Sequence, residues 1–325
     1  MPAIRYYYNR LSRAHQAIYE QILAGLVSYQ AEIRIAGKCA DGELWKITEY
    51  VILDYPQLFY VGRMLNVVTR GSKVSLCPDY LFSQSTANRV QCQINDKVKT
   101  LFGSPNTRGA DMFNQERAIF THLVVNTKYN YNYTEGEHTN FSIIGPLLDG
   151  VAVCEGFAKA FKYLCDAVNL PCLVAEGRAS APNVVEQVAH AWNIVNLAGS
   201  SYHVDAAWDG CMGSYPYLFY FNLPDSEMAL DHTWDRTLVP LCSKEFSTVP
   251  CMTSKKMFDQ FVIDQANQKR RSFHVKFDKQ FDEVEEIIDM VMAALAGASP
   301  SVSNMVSGVG VEYNKAQCKA VVKFL

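Results

Sequence analysis

The chain has 325 residues, 49% hydrophobic and 19% charged, with a formal net charge of -3. That composition describes a globular chain with a sizeable core, and the length allows one large domain or two to three smaller ones. A charge this close to balance carries no footprint for nucleic acid, and no apolar run approaches the ~18 residues of a membrane span. Ten scattered cysteines form no dense disulfide framework, and the first ten residues lack the apolar core of a secretory signal, so a cytoplasmic location is expected.

Leu11, Ile18, Ile22 and Leu26 recur at helical spacing and predict an amphipathic helix over 10–28. Leu44, Ile47 and Val51 predict a second helix ending before Pro56, because proline disfavours helical geometry in the residue ahead of it. Extended runs follow at 58–61, 64–69 and 73–76, the last two divided by the turn-like Arg70-Gly71-Ser72. Val90, Ile94, Val98 and Leu101 mark another helix, and Gly103-Ser104-Pro105-Asn106 is the clearest boundary signal. The N-terminal region is therefore set at 1–106, helical with a short β meander.

The middle stretch, 107–245, carries the chemistry. A helix over 112–129 leads into the polar aromatic loop Asn130-Tyr131-Asn132-Tyr133. A second helix starts near Cys154, with Phe157, Ala160, Phe161, Leu164 and Val168 along one stripe, so its buried body leaves the N-terminal end facing a cleft. Two extended runs, 188–195 and 202–206, are joined by turn-forming residues 196–201 and read as a β-hairpin. His190 and Asp205 stand equally far from the turn centre, which makes them cross-strand or diagonal neighbours. The last stretch, 246–325, reads as a small accessory α+β unit. Phe273, Val275 and Phe277 alternate as a strand, a helix follows over 281–295, and 309–324 forms a hairpin turning at Asn314-Lys315.

A thiol at a helix N-terminus beside an imidazolium is activated as a nucleophile, and the imidazole needs an acceptor on its far nitrogen to hold one tautomer. Cys154, His190 and Asp205 fit those three roles. His203 shares a strand face with Asp205 and is the rival base by geometry, expected to border the site or lie near the surface. Asp209 ranks second to Asp205 as orienter. Trp192, on the face of His190, is expected as a wall of the cleft and substrate contact, with a plain core tryptophan as the other reading. Cys165 and Cys172 lack the close pairing of a zinc site, so no metal or other cofactor is expected. Glycine so early in a helix costs stability, so Gly156 points to close approach of another backbone or of substrate. Glu155 should turn away from the sulfur.

The run Val153-Cys154-Glu155-Gly156-Phe157-Ala158, then His190-Ala191-Trp192-Asn193, then Tyr202 to Asp209 resembles the three signature blocks of the transglutaminase-like superfamily, a branch of papain-like cysteine chemistry. Asp231-His232-Thr233-Trp234 resembles a later block of bacterial-type members, expected to pack against the site. The resemblance covers about 107–240. It implies an α+β papain-like core, with the nucleophile helix packed on an antiparallel sheet. It also implies a Cys-His-Asp triad acting on amide bonds of a protein or peptide, peptide or glutaminyl, through a thioester. Hydrolysis is favoured over crosslinking, because water is always present. The oxyanion would be held by the backbone N–H of Cys154 and a second donor, for which Asn140 and Ser142 are available by position. The alternative is a noncatalytic protein- or peptide-binding module that keeps the fold.

Overall fold

The computed structural model describes residues 4–37, 39–71, 73–103, 109–134, 136–180, 187–211, 217–246, 249–298 and 306–325. The expected boundary signal at 103–106 and the turn at Ser72 fall largely outside them.

The N-terminal helices form at Arg13–Val27 and Asp41–Asp54. The first is capped by the Ser12 side chain, which accepts from the His15 N–H. The runs at 58–61 and 64–69 do not make separate strands. Leu58 sits in a turn, and one strand, Val61–Arg70, carries an irregularity between Val61 and Leu65. It pairs with Lys73–Tyr80, which also takes the short strand Ile33–Ile35 on its other side. The helix expected around Val90 to Leu101 spans Gln84–Gly103.

The central layer is a five-stranded antiparallel sheet in the order His232–Trp234, Cys172–Ser180, Gln187–Leu197, Ser200–Val204, Phe221–Leu223. The helix Cys154–Ala167 packs on the second and third of these strands, the expected arrangement of a nucleophile helix on an antiparallel sheet. Phe157, Ala160, Phe161 and Leu164 enter the main core together with the helix Met112–Asn126. That helix ends three residues short of the predicted 129, because Lys128–Tyr129 leaves it to pair in parallel with Val151–Ala152.

Beyond 250, a four-stranded sheet in the order Cys251–Met252, Ser272–Phe277, Lys319–Phe324, Val309–Asn314 is covered by helices Lys255–Asn267 and Val284–Ala296. The hairpin turns later than predicted, over residues 315–318, with Cys318 at a φ of 51°.

Glu116, on the helix Met112–Asn126, is fully buried. Asn222 donates to one of its carboxylate oxygens at 3.0 Å, while the other has no partner among the described residues. Burial, opposed only by that hydrogen bond, pushes its pKa up to about 8. The folded value lies above the ~4.3 of an unfolded glutamate, so this stability is fully present below the unfolded pKa and lost as pH rises through about 8. Glu116→Gln keeps an acceptor for Asn222 and removes that loss. In urea unfolding, the variant should gain on the parent by about 4 kcal/mol between pH 5 and pH 9.

Candidate active site

Cys154 is the first residue of its helix, and Val153 at the N-cap has no side-chain acceptor, so the first-turn N–H groups and the positive end of the helix dipole face the thiol. Gly156 makes this approach possible: a Cβ there would lie 2.3 Å from the Asn140 carbonyl oxygen, and the same carbonyl accepts from the Val153 N–H at 3.1 Å. The close approach expected at this glycine is thus to backbone. Glu155 turns aside as expected, pairing with Lys159 at 2.6 Å and lying 3.7 Å from Arg63.

The hairpin register places Asn193 opposite Val204 and Ile194 opposite His203, with the tight turn at Ala198-Gly199, both at positive φ. In this register His190 and Asp205 are diagonal neighbours, just past the paired strand end. His190 Nε2 meets Asp205 Oδ2 at 2.6 Å, both side chains 1% exposed. Asp205 also caps the short helix Ala206–Cys211, its Oδ1 accepting from the Trp208 N–H at 2.9 Å. One carboxylate oxygen therefore fixes the helix and the other serves histidine. Trp208 lies over the His190 ring, with centroids 4.2 Å apart. Asn193, last of the His-Ala-Trp-Asn run, clips the strand to the nucleophile helix by donating to the Ala158 carbonyl at 2.9 Å.

Cys154 and His190 line one cleft of about 520 Å³, walled also by Tyr129, Tyr131, Phe141 and Arg63. With Nε2 held by Asp205, His190 Nδ1 has no hydrogen-bond partner among the described residues and is the nitrogen left for the thiol. Burial opposes charge on His190, but Asp205 and then Cys154 outweigh it and push its pKa up to about 10. Burial likewise opposes ionisation of Asp205, yet His190 and then His232 hold it well below the usual carboxylate range. Both shifts favour the imidazolium–carboxylate form of the pair.

Several expected residues sit elsewhere. Trp192 does not wall the cleft: it is 1% exposed, and its N–H donates to His203 Nδ1 at 2.9 Å, which is the core-tryptophan reading. His203 neither borders the cleft nor nears the surface. It is fully buried between Trp192 and Asp225, 2.8 Å from the latter, and burial lowers its pKa. His203, Asp225 and Cys242 lie close enough together to hold a cation. However, the indole N–H requires a lone pair on Nδ1, so Nε2 carries the proton and donates to Asp225 instead of ligating. Asp209 is no orienter either: burial pushes its pKa up to about 7, and it accepts from the backbone of Leu218 and Phe219. Ser142 spends its hydroxyl hydrogen on the Thr139 carbonyl at 3.1 Å, while Asn140 gives one amide N–H to Glu137 at 2.6 Å and keeps a second.

Tyr129 had no assigned role by sequence. It lines the cleft and interacts with both the side chain and the backbone N–H of Cys154, and burial, then Cys154 and Cys211, raise its pKa so that it stays a donor. The cluster of four tyrosines and asparagines just after it, read only as a polar loop, was the available signal. His232 does pack against the site, with Nε2 3.2 Å from Asp205 Oδ2, and Trp234 packs against Trp192 and His203.

Residues 104–206 match the family model of the transglutaminase-like superfamily, which bears out the resemblance read from the signature blocks over that segment. Among solved structures, one described as a TGase is similar at 12% identity and a TM-score of 0.32, the match covering 54% of this chain and 50% of that one. A candidate cysteine protease from Cytophaga hutchinsonii is similar at 15% identity and a TM-score of 0.29, over 44% of this chain and 61% of that one. The match thus spans about half the length of the first structure. No curated protein sequence matches the chain. No helix among the described residues is long and apolar enough to cross a membrane.

Proposed function

We propose that the protein is a cysteine-dependent acyl-transfer enzyme acting on amide bonds of protein or peptide substrates, with Cys154 as nucleophile, His190 as proton carrier and Asp205 as orienter. The buried His190–Asp205 pair at 2.6 Å, opening through its free Nδ1 onto the cleft that holds Cys154, carries this reading. The thiolate attacks the carboxamide carbon, and its electron pair forms the C–S bond as the carbonyl becomes an oxyanion. The Cys154 N–H and the Tyr129 hydroxyl, which meet each other in the resting cleft, are the donors assigned to that oxyanion, each turning from its present partner as the charge forms. Collapse breaks the C–N bond, and the leaving nitrogen takes the proton of His190. Water then attacks the thioester, returns a proton to His190 and releases the acid and the thiolate. The cleft is open to solvent along Tyr131 and Tyr133, 67% and 49% exposed, which favours hydrolysis over transfer to an amine.

Alkylation of Cys154, read by mass spectrometry of its peptide, tests the assignment. At pH 7 the parent should label at least about 10-fold faster than His190→Ala, because the thiolate and not the thiol reacts. Anionic iodoacetate should lose its advantage over neutral iodoacetamide as pH rises through about 10, where His190 gives up its charge. Equal labelling of parent and variant, with no such step, would leave the noncatalytic binding module. Ammonia release against incorporation of a biotinylated primary amine, on a glutamine-containing protein, separates hydrolysis from transamidation.

A further inference from the structure

Asp205 serves two histidines. Its Oδ2 meets His190 Nε2 at 2.6 Å and His232 Nε2 at 3.2 Å, while Oδ1 takes the Trp208 N–H. Held low by these partners, Asp205 is ionised and accepts only, so His232 Nε2 presents a hydrogen to it. On its far side, His232 Nδ1 lies 2.6 Å from Asp231 Oδ1, and one proton sits between the two whichever of them carries it. Tyr220 donates its hydroxyl to Asp231 Oδ2 at 2.7 Å, and Asn314 donates its amide to the Tyr220 oxygen at 3.1 Å. His232, Tyr220 and Asn314 are 0%, 1% and 3% exposed, so water does not substitute for any link. Burial and Asp231 raise the Tyr220 pKa, which keeps it a donor.

The last link comes from outside the sheet that carries the triad. Asn314 ends the strand Val309–Asn314 at the tip of the C-terminal hairpin, and this tip is driven into the core by polar contacts. Gln317 donates to the Glu227 carbonyl at 3.2 Å. Lys319, 5% exposed, donates to the Phe219 carbonyl at 3.0 Å and pairs with Glu227 at 3.0 Å. Phe219 and Tyr220 are adjacent, and the Tyr220 carbonyl accepts the Asp205 N–H at 2.8 Å. The hairpin tip therefore grips the segment whose backbone accepts the Asp205 N–H and whose Tyr220 hydroxyl reaches the Asp205 carboxylate by way of Asp231 and His232.

We propose that His232 is a positioning residue for the triad, fixing the Asp205 carboxylate toward His190, and that the C-terminal hairpin holds His232 in place through Asn314, Tyr220 and Asp231. The proposal rests on the triad reading above. His232 is fully buried and does not line the cleft, so its effect passes through Asp205. The titratable groups facing His190, Asp205 and His232 are Cys154 from the nucleophile helix, Cys211 from the helix Ala206–Cys211, His203 from the strand Ser200–Val204, Tyr220 and Asp231.

The test is the pH profile of Cys154 alkylation by iodoacetate and iodoacetamide, in parent, His190→Ala, His232→Leu, His232→Gln, Tyr220→Phe and Asn314→Leu. Loss of the His232 N–H leaves more of the Asp205 charge to His190, so in His232→Leu the midpoint near 10 should rise by about half a pH unit or more. His232→Gln, which can still offer one N–H, should return it to the parent value. Tyr220→Phe and Asn314→Leu should move it in the same direction by less, with circular dichroism confirming the fold. If parent and His190→Ala label alike, the triad reading falls and this proposal with it. If they differ but His232→Leu keeps the parent midpoint, whatever its melting temperature, His232 only packs. Should His232→Leu fail to fold, the isosteric Tyr220→Phe and the Asn314→Leu profiles decide. Superposition of both on the parent overturns the role of the hairpin.

Discussion

Cys154→Ala is expected to lower turnover of a peptide or glutaminyl substrate by at least about 10⁴-fold while leaving the melting temperature within a few degrees of the parent. Among the described residues, no other group in the cleft replaces the thiol. Cys211 is nearby, but burial, opposed by Tyr131, pushes its pKa up to about 12, and no imidazole is assigned to it. The fold does not depend on the sulfur, because the nucleophile helix is held by Phe157, Phe161 and Leu164 in the core and by Asn193 on the Ala158 carbonyl. Cys154→Ser should be nearly as inactive: the hydroxyl is a far weaker acid than the thiol, and a pair built to hold a thiolate does not ionise it. Activity retained in either variant would move the chemistry away from this site. Mass spectrometry gives an independent reading, since the acyl adduct should appear on the Cys154 peptide of the parent and vanish from both variants.

Asp205→Ala is expected to damage activity and stability together. Turnover should fall by about 10³ to 10⁴-fold as His190 loses its orientation and the stabilisation of its charge. Removing one partner of a buried pair typically costs about 3–5 kcal/mol, and here it strands His190 Nε2, His232 Nε2 and the Trp208 N–H at once. The pH dependence follows from the two shifts. His190 has its folded pKa raised, so its contribution is fully present below the unfolded ~6.5 and lost as pH rises through about 10. Asp205 has its folded pKa depressed, so its contribution is present above the unfolded ~3.9 and lost only as pH falls through a strongly acid value. Urea unfolding should show the largest gap between parent and variant near pH 5 to 6, narrowing as pH rises from about 6.5 to about 10. A gap that stays flat across that range would mean that His190 is not charged in the folded protein. Cys154→Ala removes chemistry from an intact scaffold, whereas Asp205→Ala removes a node of it, so the pair separates reactivity from architecture.

The nucleophile helix was legible because its stripe from Phe157 to Leu164 repeats at helical spacing, and the hairpin because apolar runs flank a turn-forming stretch. The strand Cys172–Ser180 was missed, although it is the sheet neighbour of both the His190 strand and the His232 strand. Its first four residues are buried without alternation, so it carries no period-two signal. Without it, nothing in the sequence places His232 beside Asp205. The shift of the hairpin centre to Ala198-Gly199 was also invisible, yet the diagonal relation of His190 and Asp205 survived it, because diagonal partners tolerate a displacement of one residue in the turn.

Trp192 and His203 show the limit from the other side. Strand alternation put them on faces that looked functional, and both instead satisfy each other, the indole N–H donating to the imidazole. Asn140 was near the nucleophile in sequence and remains near it in space, its carbonyl taking the Val153 N–H, whereas Ser142 spends its one hydroxyl hydrogen on Thr139.

By itself, then, the sequence determined the order and local setting of Cys154, His190 and Asp205, since helix start, strand alternation and turn chemistry depend on neighbours within a few residues. Only the tertiary structure decided which of three buried histidines opens onto the cleft, which donors remain unspent, and that a hairpin more than a hundred residues downstream reaches back to the triad carboxylate. Hydrogen bonding is the reason: a buried donor or acceptor has few bonding sites, and the partners that fill them are set by contacts between distant segments, which no local pattern encodes.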